Sequence, residues 1–171
     1  TFGSGVVIKG TGILMNNEMD DFSAAPGIPN QFGLLGAKAN EIIPGKRPLS
    51  SMTPTIVMKD EELFFTTGSP GGSRIISAVL QSILNIVDFD MDLEEATLVK
   101  RVHHQWQPDT LEIEFSIDDG IRNDLELIGY DINITAPLTC IQTIMYKDNK
   151  FSGYGDFRRP DAFASGNIND R

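Results

Sequence analysis

The stretch Thr67-Gly-Ser-Pro-Gly-Gly-Ser-Arg-Ile-Ile-Ser-Ala-Val-Leu-Gln-Ser-Ile-Leu-Asn-Ile-Val87 decides the fold class. It leaves a β-rich run, crosses two adjacent glycines and enters an apolar stripe. Ile75, Val79, Ile83 and Val87 recur at every fourth residue, with Ile76, Leu80 and Leu84 alongside, which is helical spacing. The width of that stripe predicts a helix buried between layers. Upstream, Thr55 to Lys59 and Leu63 to Thr67 flank the polar Asp60-Glu61-Glu62, a hairpin signature. Downstream, a short helix is expected from Asp92, where Glu94 and Glu95 suit the positive end of its dipole. Leu111-Glu112-Ile113-Glu114-Phe115 alternates as a half-buried strand does. Asp118 to Ile128 reads as a helix closed by Gly129. Tyr130 to Thr135 and Cys140 to Tyr146 read as strands, and Phe151 to Tyr154 as a strand returning across the turn at Lys147 to Lys150. Hairpin-sized clusters of strands with helices grouped between them predict an α+β fold, an antiparallel sheet covered by helices.

The first fifty residues are different. Glycine and proline cut every candidate element short, from Gly3 and Gly5 to Pro44, Gly45 and Pro48. Val6-Val7-Ile8 and Gly12 to Met15 are expected as short buried strands. The segment from Ala24 to Pro48 has no period and reads as a long surface excursion, the kind of loop that serves as a lid or lacks order.

Composition narrows the function. The chain has 171 residues, 40% of them hydrophobic and 22% charged, with a net charge of −10, which fits a single folded domain of 1–171. A negative chain does not suit nucleic acid or an anionic membrane, whose binders present basic faces. No apolar run approaches the roughly 20 residues of a bilayer-spanning helix. The opening Thr1-Phe2-Gly3 has no features of a signal peptide, and the polar stretch from Phe163 onwards is expected to fray. Cys140 is the only cysteine, so no internal disulfide forms, and it is expected in the core.

Several motifs carry chemistry, each beside a plainer reading. Gly71 and Gly72 stand between a strand and a helix start, where bare backbone N–H groups and the helix field suit a phosphate or the oxyanion of acyl transfer. A tight turn with no ligand explains the same glycines. The spacing does not match a nucleotide P-loop. Asn16-Asn17-Glu18-Met19-Asp20-Asp21-Phe22 gathers carboxylates that suit an ammonium or a metal, or simply a solvated loop; it is not an EF-hand. Lys46-Arg47-Pro48-Leu49-Ser50-Ser51-Met52 offers paired hydroxyls for a carboxylate or for a turn. His103-His104-Gln105-Trp106 lacks the spacing of a zinc pair, and a structural role is expected. Asn133-Ile134-Thr135 fits the glycosylation sequon but falls in an expected strand. No cofactor or metal is implied.

In order and spacing, these segments resemble the small subunit of the γ-glutamyltranspeptidases, which are N-terminal-nucleophile hydrolases. The segments are Thr-Phe-Gly-Ser-Gly (1–5), Asn-Asn-Glu-Met-Asp-Asp-Phe-Ser (16–23), Lys-Arg-Pro-Leu-Ser-Ser-Met (46–52), Thr-Gly-Ser-Pro-Gly-Gly-Ser-Arg-Ile (67–75) and His-His-Gln-Trp (103–106), running on to Arg158-Arg159-Pro160-Asp161. The resemblance implies part of a four-layer αββα sandwich completed by a large subunit of the same precursor. It also implies transfer or hydrolysis of γ-glutamyl groups, from glutathione and related amides, through an acyl-enzyme. Gly71 and Gly72 would form the oxyanion hole. Ser50 and Ser51 would hold the glutamyl α-carboxylate, and Glu18 and Asp21 its α-ammonium. Relatives often have Gln where Glu18 stands. Residues 26–39 resemble a lid loop, with Phe32 as its gating aromatic where relatives often have Tyr. In the family the nucleophile is a Thr opening a Thr-Thr-His-like segment. Thr1, already in Thr-Phe-Gly, aligns with an internal position, so the chain is expected to lack the nucleophile and to be inactive alone. A periplasmic or secreted setting follows from the resemblance. Rival readings are a related acylase, such as a cephalosporin acylase, and a non-catalytic γ-glutamyl-binding module.

Overall fold

A computed structural model describes residues 3–115, 117–137 and 139–166. Two compact units divide the chain, one ending at Ser50 and one beginning at Ser51.

The second unit carries the regular structure, and its class is α+β. Strand β1 (Thr55–Lys59) and β2 (Glu62–Gly68) form the expected hairpin. Its two turn residues, Asp60 and Glu61, both have positive φ, 53° and 67°, the geometry that matches the twist of paired strands. Further along, β6 (Gln142–Lys147) and β7 (Lys150–Tyr154) repeat the device at Asp148 and Asn149, with φ of 52° and 58°. These four strands make one antiparallel sheet in the order β1-β2-β6-β7. Phe65 and Thr67 of β2 point inward, where the Thr67 hydroxyl meets that of Thr143 at 2.8 Å.

A second sheet joins β3 (Val102–His103), β4 (Leu111–Glu114) and β5 (Ile132–Thr135). Here the expectation of antiparallel pairing needs correction. Strands β4 and β5 run parallel, because helix α3 (Asp119–Leu127) carries the chain back between them. The Asp118 carboxylate accepts from Gly120 N and Ile121 N at its start. At its end Tyr130 N reaches Leu125 O and Gly129 N reaches Glu126 O, with Gly129 at φ 103°, a Schellman closure. The two-residue strand β3 has too short an alternation to be read from sequence.

Helix α1 (Arg74–Val87) follows the glycine pair, and α2 (Leu93–Leu98) starts on a reciprocal capping box between Asp92 and Glu95. Ile75, Ala78 and Val79 of α1 pack with Ile141, and Ile86 packs with Phe65 and Ala96. Only one side of the apolar stripe is covered in this chain. Ile76 and Leu80 are 51% and 54% exposed, so the expected burial on both sides does not hold here. Cys140 is buried, as its type suggests.

In the first unit, the runs around Val7 and Leu14 meet through a single antiparallel bridge and are exposed, not buried strands. Gly10 and Gly12, at φ 82° and 72°, turn the chain too soon for either run to extend. Short turns occupy Glu18–Asp21 and Lys38–Asn40, and only Phe22 and Ser23 are buried among the described residues of this unit.

Candidate functional site

The glycine turn lies in the second unit between β2 and α1. Gly71 and Gly72 have φ of 142° and 60°, backbone that an L side chain adopts only with strain. Their carbonyls point into the structure: Gly71 O accepts from Arg74 N at 3.3 Å, and Gly72 O from Ile75 N at 3.1 Å. The Ser51 hydroxyl also donates to Gly72 O, at 3.2 Å, so the structure brings these two candidate residues together. Among the described residues neither the Gly71 nor the Gly72 N–H has an acceptor. Both lie at the positive end of a fourteen-residue helix. N–H groups without acceptors at a helix start suit a negatively charged or developing oxyanion. Ser69 ties the turn to Cys140, since its Oγ accepts from Cys140 N at 3.2 Å and its one proton is shared between Pro70 O at 2.7 Å and Cys140 O at 3.1 Å.

Glu18, Asp21, Phe32 and Ser50 belong to the first unit. Glu18 and Asp21 open and close one 3₁₀ turn, with Asn16 Oδ1 accepting from Glu18 N. Partial burial raises the Asp21 carboxyl above its ordinary 3.8, and the hydrogen bond and charge of Glu18 raise it further, followed by Asp20. Two carboxyls that oppose each other's ionisation are relieved by a cation placed between them. Asn40 organises this region, and nothing in its sequence context points to it. Its Nδ2 donates to Asp21 O at 2.7 Å while its Oδ1 accepts from Leu49 N at 3.1 Å, one residue before Ser50. The acidic turn and the serine segment are thereby tied through one side chain.

The segment 26–39 forms a narrow loop with an antiparallel bridge between Pro29 and Leu35. Asn30 shapes its tip: Oδ1 accepts from Phe32 N and Leu34 N, and Nδ2 donates to Asp20 O. Phe32 therefore rides on a turn fastened to the acidic residues, and Gln31 N adds a bond to Asp20 Oδ2.

The two histidines have separate partners. His104 Nε2 lies 2.9 Å from Asp109 Oδ1 at the surface. His103 is buried, between Ser77 Oγ at 2.7 Å and Gln105 Oε1 at 2.9 Å. Among the described residues no group of three or more His, Cys, Asp or Glu side chains is arranged for a metal, and no helix is long and apolar enough to cross a membrane. Thr1 lies outside the described residues.

A buried ionic cluster is absent from the sequence-based expectations. Glu114, expected to alternate outward from β4, is fully buried because the Arg158 guanidinium meets it at 2.7 Å. Asp156 is fully buried too, 2.9 Å from Arg101 and 3.1 Å from Arg158. Burial alone raises the Asp156 carboxyl, but Arg101, the amides of Arg158 and Ile141, and the Arg158 charge outweigh it and hold the group below 3.8. Arg158 also donates to the carbonyls of Thr97, Leu98 and Val99, closing α2. The sequence signal for this cluster is limited to Arg158-Arg159 near the end of a charged, polar stretch.

A family model described as gamma-glutamyltranspeptidase matches residues 1–166. The chain is 47% identical over 167 residues to the glutathione hydrolase proenzyme of Escherichia coli, covering 97% of this chain but 29% of that protein. It therefore spans less than a third of that relative. Against a solved structure of Helicobacter pylori gamma-glutamyltranspeptidase, a T380A mutant, the TM-score is 0.88 at 45% identity, covering 93% of this chain and 88% of the other. Against the Pseudomonas nitroreducens enzyme complexed with L-DON it is 0.88 at 40% identity, covering 97% and 88%.

Proposed function

The chain belongs to the γ-glutamyltranspeptidase family, and from that premise we propose that it supplies the oxyanion hole and the glutamyl-binding groups of an acyl-transfer enzyme. The observation that carries this reading is the pair of N–H groups at Gly71 and Gly72, without acceptors among the described residues and backed by the start of α1.

In the proposed reaction a γ-glutamyl amide, such as glutathione, points its γ-carbonyl oxygen at those two amides. A hydroxyl attacks the γ-carbon, and the former carbonyl oxygen takes the negative charge as the tetrahedral intermediate forms. The Gly71 and Gly72 N–H groups stabilise that charge more than they do the neutral carbonyl, which is what lowers the barrier. Collapse of the intermediate breaks the C–N bond, the proton taken from the hydroxyl goes to the departing amine, and an ester remains. Water or an acceptor amine then repeats the sequence and releases the glutamyl group. No hydroxyl of this chain is assigned the attack in this reading. The large subunit of the same precursor is its proposed partner.

Recognition of the glutamyl head divides by charge. Glu18 and Asp21 hold the α-ammonium, and Ser50 and Ser51 donate to the α-carboxylate. The raised Asp21 carboxyl supports the first half, because an ammonium relieves the repulsion from Glu18. Ser51 supports the second by its place beside the oxyanion turn: its one hydroxyl proton, given to Gly72 O at 3.2 Å without substrate, would turn to the α-carboxylate when substrate binds. Phe32, on its fastened loop, is the proposed lid aromatic.

The test is turnover of γ-glutamyl-p-nitroanilide by the full-length protein, compared with glutaryl-p-nitroanilide, which lacks the ammonium. The reading expects the glutaryl compound to be poorer by roughly 10- to 100-fold, the worth of a lost charge-assisted hydrogen bond. Equal or better turnover of the glutaryl compound favours an acylase instead. Glutamate binding in calorimetry without turnover favours a binding module. The high identity to glutathione hydrolases supports the γ-glutamyl reading over both.

A further inference from the structure

Ser73 occupies the residue between the glycine pair and α1, and its hydroxyl does not cap the helix. It instead donates to Gln105 Oε1 at 2.9 Å, thirty-two positions downstream. That same oxygen lies 2.9 Å from His103 Nε2, while Gln105 Nε2 donates to Gln107 O. An amide oxygen accepts only, so His103 donates from Nε2, and in the neutral ring its Nδ1, 2.7 Å from Ser77 Oγ, accepts from that hydroxyl. These bonds link Ser77 to His103, and both His103 and Ser73 to the one oxygen of Gln105. Ser73 and His103 are both buried. Beside it Arg74 grips Glu112 of β4 through two bonds of 2.7 and 2.8 Å.

The arrangement has a purpose that the helix alone does not require. Strand β2 enters the glycine turn from the four-stranded sheet, whereas Gln105, His103 and Glu112 belong to the three-stranded sheet or the segment leaving it. The orientation of the Gly71 and Gly72 amides is therefore fixed from both ends, by β2 on one side and by Ser73 on the other. We infer that Gln105, held by His103, is a positioning residue for the oxyanion turn, acting through the Ser73 hydroxyl. This inference rests on the oxyanion role proposed for Gly71 and Gly72. A donor rotated away from the place where charge develops loses transition-state binding and little ground-state binding.

The experiment uses the full-length protein and four forms: wild type, Gln105→Leu, Gln105→Glu and Ser73→Ala. Each is measured for kcat and KM with γ-glutamyl-p-nitroanilide and for affinity to a γ-phosphonate analogue of glutamate, a tetrahedral probe. Gln105→Leu removes the shared acceptor at similar size, and Gln105→Glu keeps it while giving up only the exposed bond to Gln107 O. Gln105→Leu and Ser73→Ala are expected to lower kcat by about tenfold, a fraction of the roughly 10²–10³ for losing a donor outright. KM should stay within about twofold, phosphonate affinity should fall in step with kcat, and Gln105→Glu should recover most of the loss. If wild type binds the phosphonate no better than glutamate, the oxyanion reading itself fails. If wild type prefers the phosphonate but Gln105→Leu and Ser73→Ala keep wild-type kcat, or change only KM, the positioning inference fails and the oxyanion reading stands. Should Gln105→Leu not fold, Ser73→Ala and Gln105→Glu decide by the same criteria: a kcat loss in the first and its absence in the second support the inference, and any other pattern overturns it.

Discussion

Asp156 and Asp21 are the same side chain in opposite situations. Asp156 is sealed beneath two guanidinium groups and two backbone amides, which hold its carboxyl below 3.8. Asp21 lies on a half-exposed turn whose nearest charged neighbours are Glu18 and Asp20, which raise it. The first carboxylate is completed by its own chain and serves stability. The second is left short of positive charge and suits a cation from outside. Acidic residues in this molecule thus divide by whether the fold has already supplied the counter-ion.

The sharpest way to break this contrast is to remove the counter-ion. Arg158→Met takes from Glu114 and Asp156 the guanidinium that meets them at 2.7 and 3.1 Å in the buried cluster, and is expected to cost about 3–5 kcal/mol in a denaturant melt. A loss below about 1 kcal/mol would show that the cluster adds little to folding.

Asp21→Asn tests the other half. Removing one carboxylate from the acidic turn takes repulsion out of the folded chain, so the melt should not suffer. KM for a γ-glutamyl substrate should rise by roughly tenfold or more, in line with about 1.5–3 kcal/mol for a hydrogen bond to a charged group. A destabilised variant with unchanged KM would reverse the assignment.

Asn40→Ala removes both ties between the acidic turn and the serine segment. The expected cost is about 1 kcal/mol for each hydrogen bond lost. In steady-state kinetics it should raise KM severalfold and leave kcat nearly as it was, because the oxyanion turn lies in the other unit.

The smallest effect is an ordering in acid. A carboxyl lowered by folding stabilises the native state fully above its unfolded value of 3.8, and that share is lost as pH falls through the lower folded value. A raised carboxyl, such as Asp21, protonates first, above 3.8. Substrate affinity should therefore decline at a higher pH than stability does. Parallel KM and melting series from pH 6 to about 2 check this ordering, and coincident declines would contradict it.

Much of the fold was legible because local signals agreed with the tertiary outcome. Asp60-Glu61 between two β-rich runs, the stripe from Ile75 to Val87 and the Asp118 and Gly129 ends of α3 each combine pattern with a matching turn or cap. The parallel pairing of β4 with β5 was hidden, since a helix between two strands allows either sheet direction until the partners are known. Among the site residues, the glycine pair and the serines stand in recognisable motifs. Asn40 and Gln105 do not, because their importance lies in bonds to residues 9 to 32 positions away. Glu114 misled in the same manner: its alternation said solvent, and a guanidinium 44 residues downstream said core.

That separation has a consequence for synthesis. The carbonyls of Thr97, Leu98 and Val99 receive Arg158 across 59 to 61 positions. A nascent chain emerging from the ribosome cannot make these three bonds until translation has passed Arg158, so the end of α2 is completed late.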